Sequence, residues 1–209
     1  MLSSKSLATA ALIAVTTQAR TEPKECTDSN PNVWSTICDH LASWDLSWEI
    51  TPVTTDDGYH LQAVHILNEK TSTIPRPAMI WQHGMGGSAE SYIFGKTAPD
   101  SKKPPALNMA DEGFDVYFAN NSGTKFSQTH VTLTVDDPEF WKFDWSKLGV
   151  YDFPALTRKI QETNGGKKVT MIGHSQGTTQ TFAGMGLIPE WYDANVSSAI
   201  MMGPCTSPN

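Results

Sequence analysis

The stretch VTMIGHSQGTT, residues 169–179, sets an apolar run against a serine with a glycine two residues before it and two after: Gly173-His174-Ser175-Gln176-Gly177. A serine hydroxyl is a weak nucleophile until its surroundings expose it and a neighbouring base takes its proton. The G-x-S-x-G spacing supplies the exposure when a strand precedes it and a helix follows. The turn between them is so tight that side chains two before and two after the serine crowd strand and helix, and glycine at both places removes the clash. The helix N-terminus beneath the hydroxyl also favours developing negative charge. A serine that merely caps the helix is the competing reading of the same residues.

Acyl transfer through such a serine needs two backbone N–H groups aimed at the oxygen where charge develops. One is expected from Gln176, directly after the nucleophile, and the other from the loop after an earlier central strand. WQHGMGGS, residues 81–88, is that loop. Its His83-Gly84 pair forms the turn, the second N–H falls to Met85, and the Met85 side chain is left to packing. The same loop also fits a dinucleotide pattern, G-x-G-x-x-A, from Gly84 to Ala89. The acid that pattern requires ~20 residues on, at a strand end, is missing: Asp100 lies in a proline-rich loop, and Asp111 and Glu112 fall on a helix.

A nucleophile of this kind is followed in chain order by an acid and then a histidine. After Ser175 the only acids are Glu190 and Asp193, and no histidine follows. The six histidines, His40, His60, His65, His83, His130 and His174, all precede it. His83 belongs to the oxyanion turn, His174 points away within the elbow, and His60 and His65 lie on a hairpin strand. His130 is the remaining candidate for the base.

These groups need elements to hold them. WSTICDHLASW reads as a short amphipathic helix. Two β-branched runs flank Asp57-Gly58, which predicts antiparallel strands near 48–55 and 59–67. PAMIWQHG reads as a short buried strand. PALNMADEGFDVYFAN reads as a helix, Gly113, then a strand over 114–119. GVYDFPALTRKIQETNGG is a helix with Asp152 placed to cap it, Pro154 in its first turn and a closing Gly-Gly. KKVTMIG is a strand, SQGTTQTFAGMGL a helix and VSSAIMMG a last strand. A hairpin followed by alternating strands and helices predicts an α/β fold, a mostly parallel sheet with helices on both faces.

The 209 residues suit one domain, and 39% hydrophobic with 18% charged residues suffices for a core. A net charge of −7 argues against a nucleic-acid surface. Lys5, the apolar run LATAALIAV and small residues at Thr17 and Ala19 predict a secretory signal over residues 1–19, leaving 20–209 as the remaining domain, partial for want of a histidine after Ser175. That run is too short to cross a ~30 Å hydrocarbon core, so no transmembrane segment is expected. In an oxidising compartment Cys26 and Cys38 could pair, with Cys205 left over. Two sequons, at Asn120 and Asn195, are candidate glycosylation sites.

The chain resembles the acid lipases, the gastric and lysosomal type within the α/β-hydrolase fold. The stretches TTDDGYHLQAVHI, WQHGMGGSA, ADEGFDVYFANN, DDPEFWKFDWSKLGVYDFPA and GHSQGTT carry the resemblance. It implies hydrolysis of a triacylglycerol or sterol ester at a lipid–water interface, without metal or cofactor. It also implies Ser175 as nucleophile and the N–H groups of Met85 and Gln176 as oxyanion donors. Two departures stand out. Where the family reads GNSRGN this chain reads ANNSGT, so Ser122 replaces an arginine. The resemblance also stops before the cap and the strands that bear acid and base, which predicts a fragment of an active lipase. A complete secreted protein that binds lipid or a partner without catalysis is the alternative, and a non-lipase serine hydrolase of this fold is another.

Overall fold

The computed structural model describes residues 33–67 and 76–206. The expected signal segment and Cys26 lie outside them. The first strands, β1 (Ser47–Thr54) and β2 (Tyr59–Leu67), form the expected hairpin, in register from Ser47 opposite Leu67 to Thr54 opposite His60. Its turn runs through Gly58 at φ +100°, a conformation that glycine adopts without the Cβ penalty. The later strands are β3 (Ala78–Gln82), β4 (Asp115–Phe118), β5 (Thr129–His130), β6 (Val169–His174) and β7 (Val196–Met202). The sheet order is β1-β2-β4-β3-β6-β7, with the two-residue β5 paired to β2. From β4 to β7 every pairing is parallel. The doubly covered β3 and β6 accordingly read as near-continuous apolar runs.

Side-chain alternation along the strands feeds two cores. On one face Val116 and Phe118 of β4 meet Ile37 and Leu41 of α1 (Ser35–Ala42) and Leu107 of α2 (Pro105–Asp111). On the other face Tyr117 and Ile80 meet Phe153, Leu156 and Ile160 of α4 (Phe153–Asn164) and Tyr192 of α6 (Pro189–Asn195). Helix α5 (Gln176–Leu187) follows β6 directly.

Two details differ from the sequence reading, the cap and a separate α6, while the exposed edge at β7 is as expected. Asp152 does not cap a helix. The helical path starts earlier, in one turn of α3 (Trp145–Lys147) capped by Asp144, and continues through a π turn over Leu148–Asp152 into α4. The side chain of Asp152 is drawn inward instead. The helix α6 was not legible as a separate element, and β7, apolar in sequence, pairs only with β6 among the described residues, with residues 197–200 exposed. Cys38 is in a disulfide and Cys205 is a free, exposed thiol. No helix among the described residues is long and apolar enough to cross a membrane.

Candidate active site

Ser175 stands alone between the last residue of β6 and the first of α5, at φ 51° and ψ −118°. Such a backbone costs a non-glycine residue of order 1–3 kcal/mol and persists only where neighbours enforce it. Both flanking glycines act as expected. A Cβ on Gly173 would lie 2.8 Å from the carbonyl oxygen of Gly177, and one on Gly177 would lie 2.4 Å from that of Gln82. Neither position tolerates a side chain without moving backbone. The side chain of Ser175 makes no capping bond to α5, which removes the helix-cap reading. Among the described residues its hydroxyl has one side-chain neighbour, the thiol of Cys205, at 3.9 Å.

The turn after β3 packs directly on this elbow. A Cβ on Gly84 would meet the Cβ of Ser175 at 3.1 Å. Two hollows flank the turn. The smaller, about 270 Å³, is shared by Met85, Tyr92, His174 and Ser175. The larger, about 580 Å³, is lined by the turn glycines, Gln176, the loop Asn121–Lys125, and Trp141, Phe143 and Leu148. Met85 thus lies beside Ser175, but the residue is 82% exposed, which leaves little of the packing role expected for its side chain. The dinucleotide reading also lapses. The Gly84–Ala89 pattern leads into a single 3-10 turn, Ala89–Tyr92, not a helix long enough to receive a pyrophosphate.

Sequence reasoning placed His83 in the turn but missed what it does there. The amide of Asn121 donates to His83 Nε2 (3.2 Å), so the ring proton sits on Nδ1, which donates to the Gly84 carbonyl (2.8 Å). That carbonyl also accepts from Gly87 N at 3.1 Å. The Gly84–Met85 peptide is therefore held at its oxygen from two sides, which fixes the direction of its N–H. Burial holds His83 below the usual imidazole range, although the bond to Gly84 works the other way. Beneath it, Asn121 accepts from Gln82 Nε2 and donates to Gln180 Oε1 at 2.9 Å, tying β3, the loop after β4 and α5 together.

The loop from Asn120 to Thr124 closes the other side. Asn120 is 1% exposed; its Oδ1 accepts from Ala89 N and its Nδ2 donates to Gln62 O. With both ends of the amide engaged in the interior, a glycan has no room there, and this candidate glycosylation site is withdrawn. Asn195 also has both ends of its amide engaged, Nδ2 donating to Trp191 O at 2.7 Å and Oδ1 accepting from Gln161 Nε2 at 3.0 Å, but it is only half-buried, at the end of α6. Ser122, the residue in the arginine position, donates through both N and Oγ to the carboxylate of Asp152, at 2.7 and 2.9 Å. Burial pushes the Asp152 carboxyl up to about 7, against the two bonds from Ser122.

No described histidine is hydrogen-bonded to Ser175. Both nitrogens of His83 are engaged. His130, the remaining candidate for the base, donates from Nε2 to Asp57 O and accepts at Nδ1 from Thr132 N, which pins it to the hairpin turn. His65 lies between Glu49 and Asp115. His174 lines the smaller hollow without a bond to the hydroxyl. No group of three or more possible metal ligands occurs among the described residues.

Comparison with known proteins fits this architecture. Residues 77–209 match the family described as "alpha/beta hydrolase fold", and residues 37–96 match "Partial alpha/beta-hydrolase lipase region". The chain is 34% identical to human lipase member K over 170 residues, covering 80% of this chain and 42% of the relative. It is 34% identical to bovine gastric triacylglycerol lipase, covering 77% and 40%. To human lysosomal acid lipase/cholesteryl ester hydrolase it is 30% identical, covering 86% and 46%. The chain therefore spans less than half the length of these relatives. A Pyrococcus furiosus esterase shares the fold at a TM-score of 0.54 and 16% identity, over 80% of this chain and 52% of that one. The strained serine between β6 and α5, the turn packed against it and these matches lead to one assignment: the chain belongs to the α/β-hydrolase fold family, on its acid-lipase branch.

Proposed function

We propose that the protein hydrolyses lipid esters with Ser175 as nucleophile. The observation that carries the reading is the backbone of Ser175, strained at φ 51° with a hydroxyl that serves no helix cap. Strain of this kind persists where function needs the side chain projected. In the proposed reaction Ser175 Oγ attacks the ester carbonyl. The oxyanion is met by the N–H groups of Met85 and Gln176, the alcohol leaves with a proton, and water releases the acid from the acyl-serine. His83, holding the Gly84 carbonyl, acts as a positioning residue for the first donor. The names of the relatives point to triacylglycerols and cholesteryl esters as the substrate class, at a lipid–water interface.

The proton of Ser175 needs a base, and no described histidine is hydrogen-bonded to its hydroxyl. We propose that the acid and base come from sequence beyond these 209 residues, in keeping with relatives of which the match covers less than half. Export through the secretory pathway after removal of residues 1–19, with Asn195 as the acceptor for a glycan, belongs to the same proposal.

The test uses short-chain nitrophenyl esters. The 209-residue chain alone should turn them over near background, since loss of triad members leaves only ~10³–10⁴-fold over water. A longer gene product that supplies an aspartate and a histidine should be active, and Ser175→Ala in it should abolish activity. Robust turnover by the 209 residues alone would show that the base has been misplaced. A longer product that binds lipid but hydrolyses nothing would favour a non-catalytic binding protein.

A further inference from the structure

We infer that Asn121 is a positioning residue that fixes the spacing between the two oxyanion donors, the N–H groups of Met85 and Gln176. This deepens the hydrolase reading and rests on it. Two donors serve one oxyanion only if each lies about 2.7–3.1 Å from the same oxygen. They come from different elements, the turn after β3 and the first turn of α5. Close packing of Gly177 against the Gln82 carbonyl stops these elements from approaching further, but a contact does not stop them from parting. Hydrogen bonds do.

Asn121, 5% exposed, is bonded to both elements. Its backbone N–H donates to His83 Nε2 at 3.2 Å, and His83 in turn holds the Gly84 carbonyl at 2.8 Å. Its side-chain Oδ1 accepts from Nε2 of Gln82, the last residue of β3. Its Nδ2 donates to Gln180 Oε1 at 2.9 Å, about one helical turn beyond Gln176. The loop that presents Asn121 is itself held: Thr124 donates to the Asn121 carbonyl through N at 3.1 Å and Oγ1 at 2.9 Å, and Ser122 is bonded to Asp152. An amide accepts at one end of a rigid planar group and donates at the other, which is what a tie between Gln82 Nε2 and Gln180 Oε1 requires. In the GNSRGN pattern of the acid lipases residue 121 falls on a serine, whose single hydroxyl lacks the second polar atom, so the tie belongs to this chain.

Asn121→Asp separates this role from a merely structural one. A neutral carboxyl group keeps one acceptor and one donor, whereas a carboxylate has no donor for Gln180 Oε1. The titrating neighbours are His83 and, behind Ser122, Asp152, so activity at each pH is read as variant over wild type. In a catalytically complete form, Asn121→Asp at alkaline pH should lower kcat on the order of 10²-fold at unchanged KM, as a small misplacement of donors does. The ratio should recover as pH falls through the titration of the new carboxyl group. Asn121→Ser should show the loss without the recovery, and its kcat and amide signals carry the test if Asn121→Asp does not fold. Apart from hydrolysis, backbone-amide NMR of the 209-residue chain should find the Met85 and Gln176 signals both displaced in either variant, returning towards wild type in acid only in Asn121→Asp. Unchanged kcat, a change confined to KM, no acid recovery in a folded Asn121→Asp, or displacement of only one amide overturns the inference. If both amides respond and the longer product shows no Ser175-dependent hydrolysis, the hydrolase reading fails while Asn121 stands as the tie between the two turns.

Discussion

His83, in the turn after β3, and His65, on β2, are both largely withdrawn from water, and their pKa values are displaced in opposite directions. At His83 the partners are neutral. An amide N–H from Asn121 claims one nitrogen and the Gly84 carbonyl the other; the bond to Gly84 offsets only part of the loss of hydration, and the ring's pKa is lowered. At His65 burial pulls the same way and is the largest single influence. Yet Asp115 at 2.6 Å and Glu49 at 2.9 Å together outweigh it, and the ring sits above the usual imidazole range. The ring of Tyr117 stacks on it at 4.1 Å. Burial alone does not decide the charge of a histidine; the partners at its two nitrogens do. One ring serves to orient a peptide and the other to fasten β1, β2 and β4.

The largest expected effect separates the two by function. In a catalytically complete form, His83→Ala should lower kcat about 10²–10³-fold with little change in KM, the usual cost of one misdirected oxyanion donor. His83→Asn, whose amide can still reach the Gly84 carbonyl, should recover part of it. His65→Gln should leave kcat per folded molecule unchanged. Equal kcat losses in both would erase the distinction.

A smaller effect concerns stability and its pH dependence. The folded pKa of His65 is raised, so its contribution is fully present below the unfolded value of about 6.5 and is lost as pH rises through the folded value. The melting-temperature gap between wild type and His65→Gln should be widest below about pH 6.5 and close as the medium becomes alkaline. His83 has the reverse sign. Its lowered pKa means the unfolded chain takes up a proton that the fold refuses, so stability falls as pH drops below about 6.5. Nitrogen NMR should find His83 neutral, with its proton on Nδ1, at a pH where His65 is charged. Identical titration of both rings would contradict the comparison outright.

Asp152 extends the contrast to a carboxyl group. Its pKa stands at about 7, raised by burial, so the fold favours the protonated form. That contribution is present below the unfolded value of about 3.9 and is lost as pH climbs towards 7. Asp152→Asn keeps an acceptor for Ser122 N and should flatten this part of the stability profile, measured by denaturant unfolding between pH 4 and 7. An unchanged profile would mean that Asp152 is charged throughout, held by Ser122 alone.

Half of the elbow was legible because its constraint is local. Gly173 is needed by the carbonyl of Gly177, four residues on, so spacing exposes the requirement, and the hairpin at Asp57-Gly58 was legible for the same reason; Gly177 instead answers to the carbonyl of Gln82 on β3, which only the fold brings there. Asp152 misled for the converse reason. An aspartate ahead of proline in a helical pattern looks like a cap, but here a carboxylate bond to Ser122, thirty residues away in the chain, competed and won. Asn120 satisfied a sequon in sequence while its amide spans Ala89 N and Gln62 O in space.

By itself, then, the sequence determined the strand–serine–helix unit, the glycine turn that packs on it and the α/β class, since each follows from backbone sterics or apolar periodicity within a few residues. Only the tertiary structure decided which ring nitrogen of His83 carries its proton, why the pKa of His65 is raised, where the carboxylate of Asp152 points and that Met85 stands bare to solvent. Those properties depend on which groups distant strands and loops bring within about 3 Å, and hydrogen bonding and desolvation at that range leave no periodic trace in the chain.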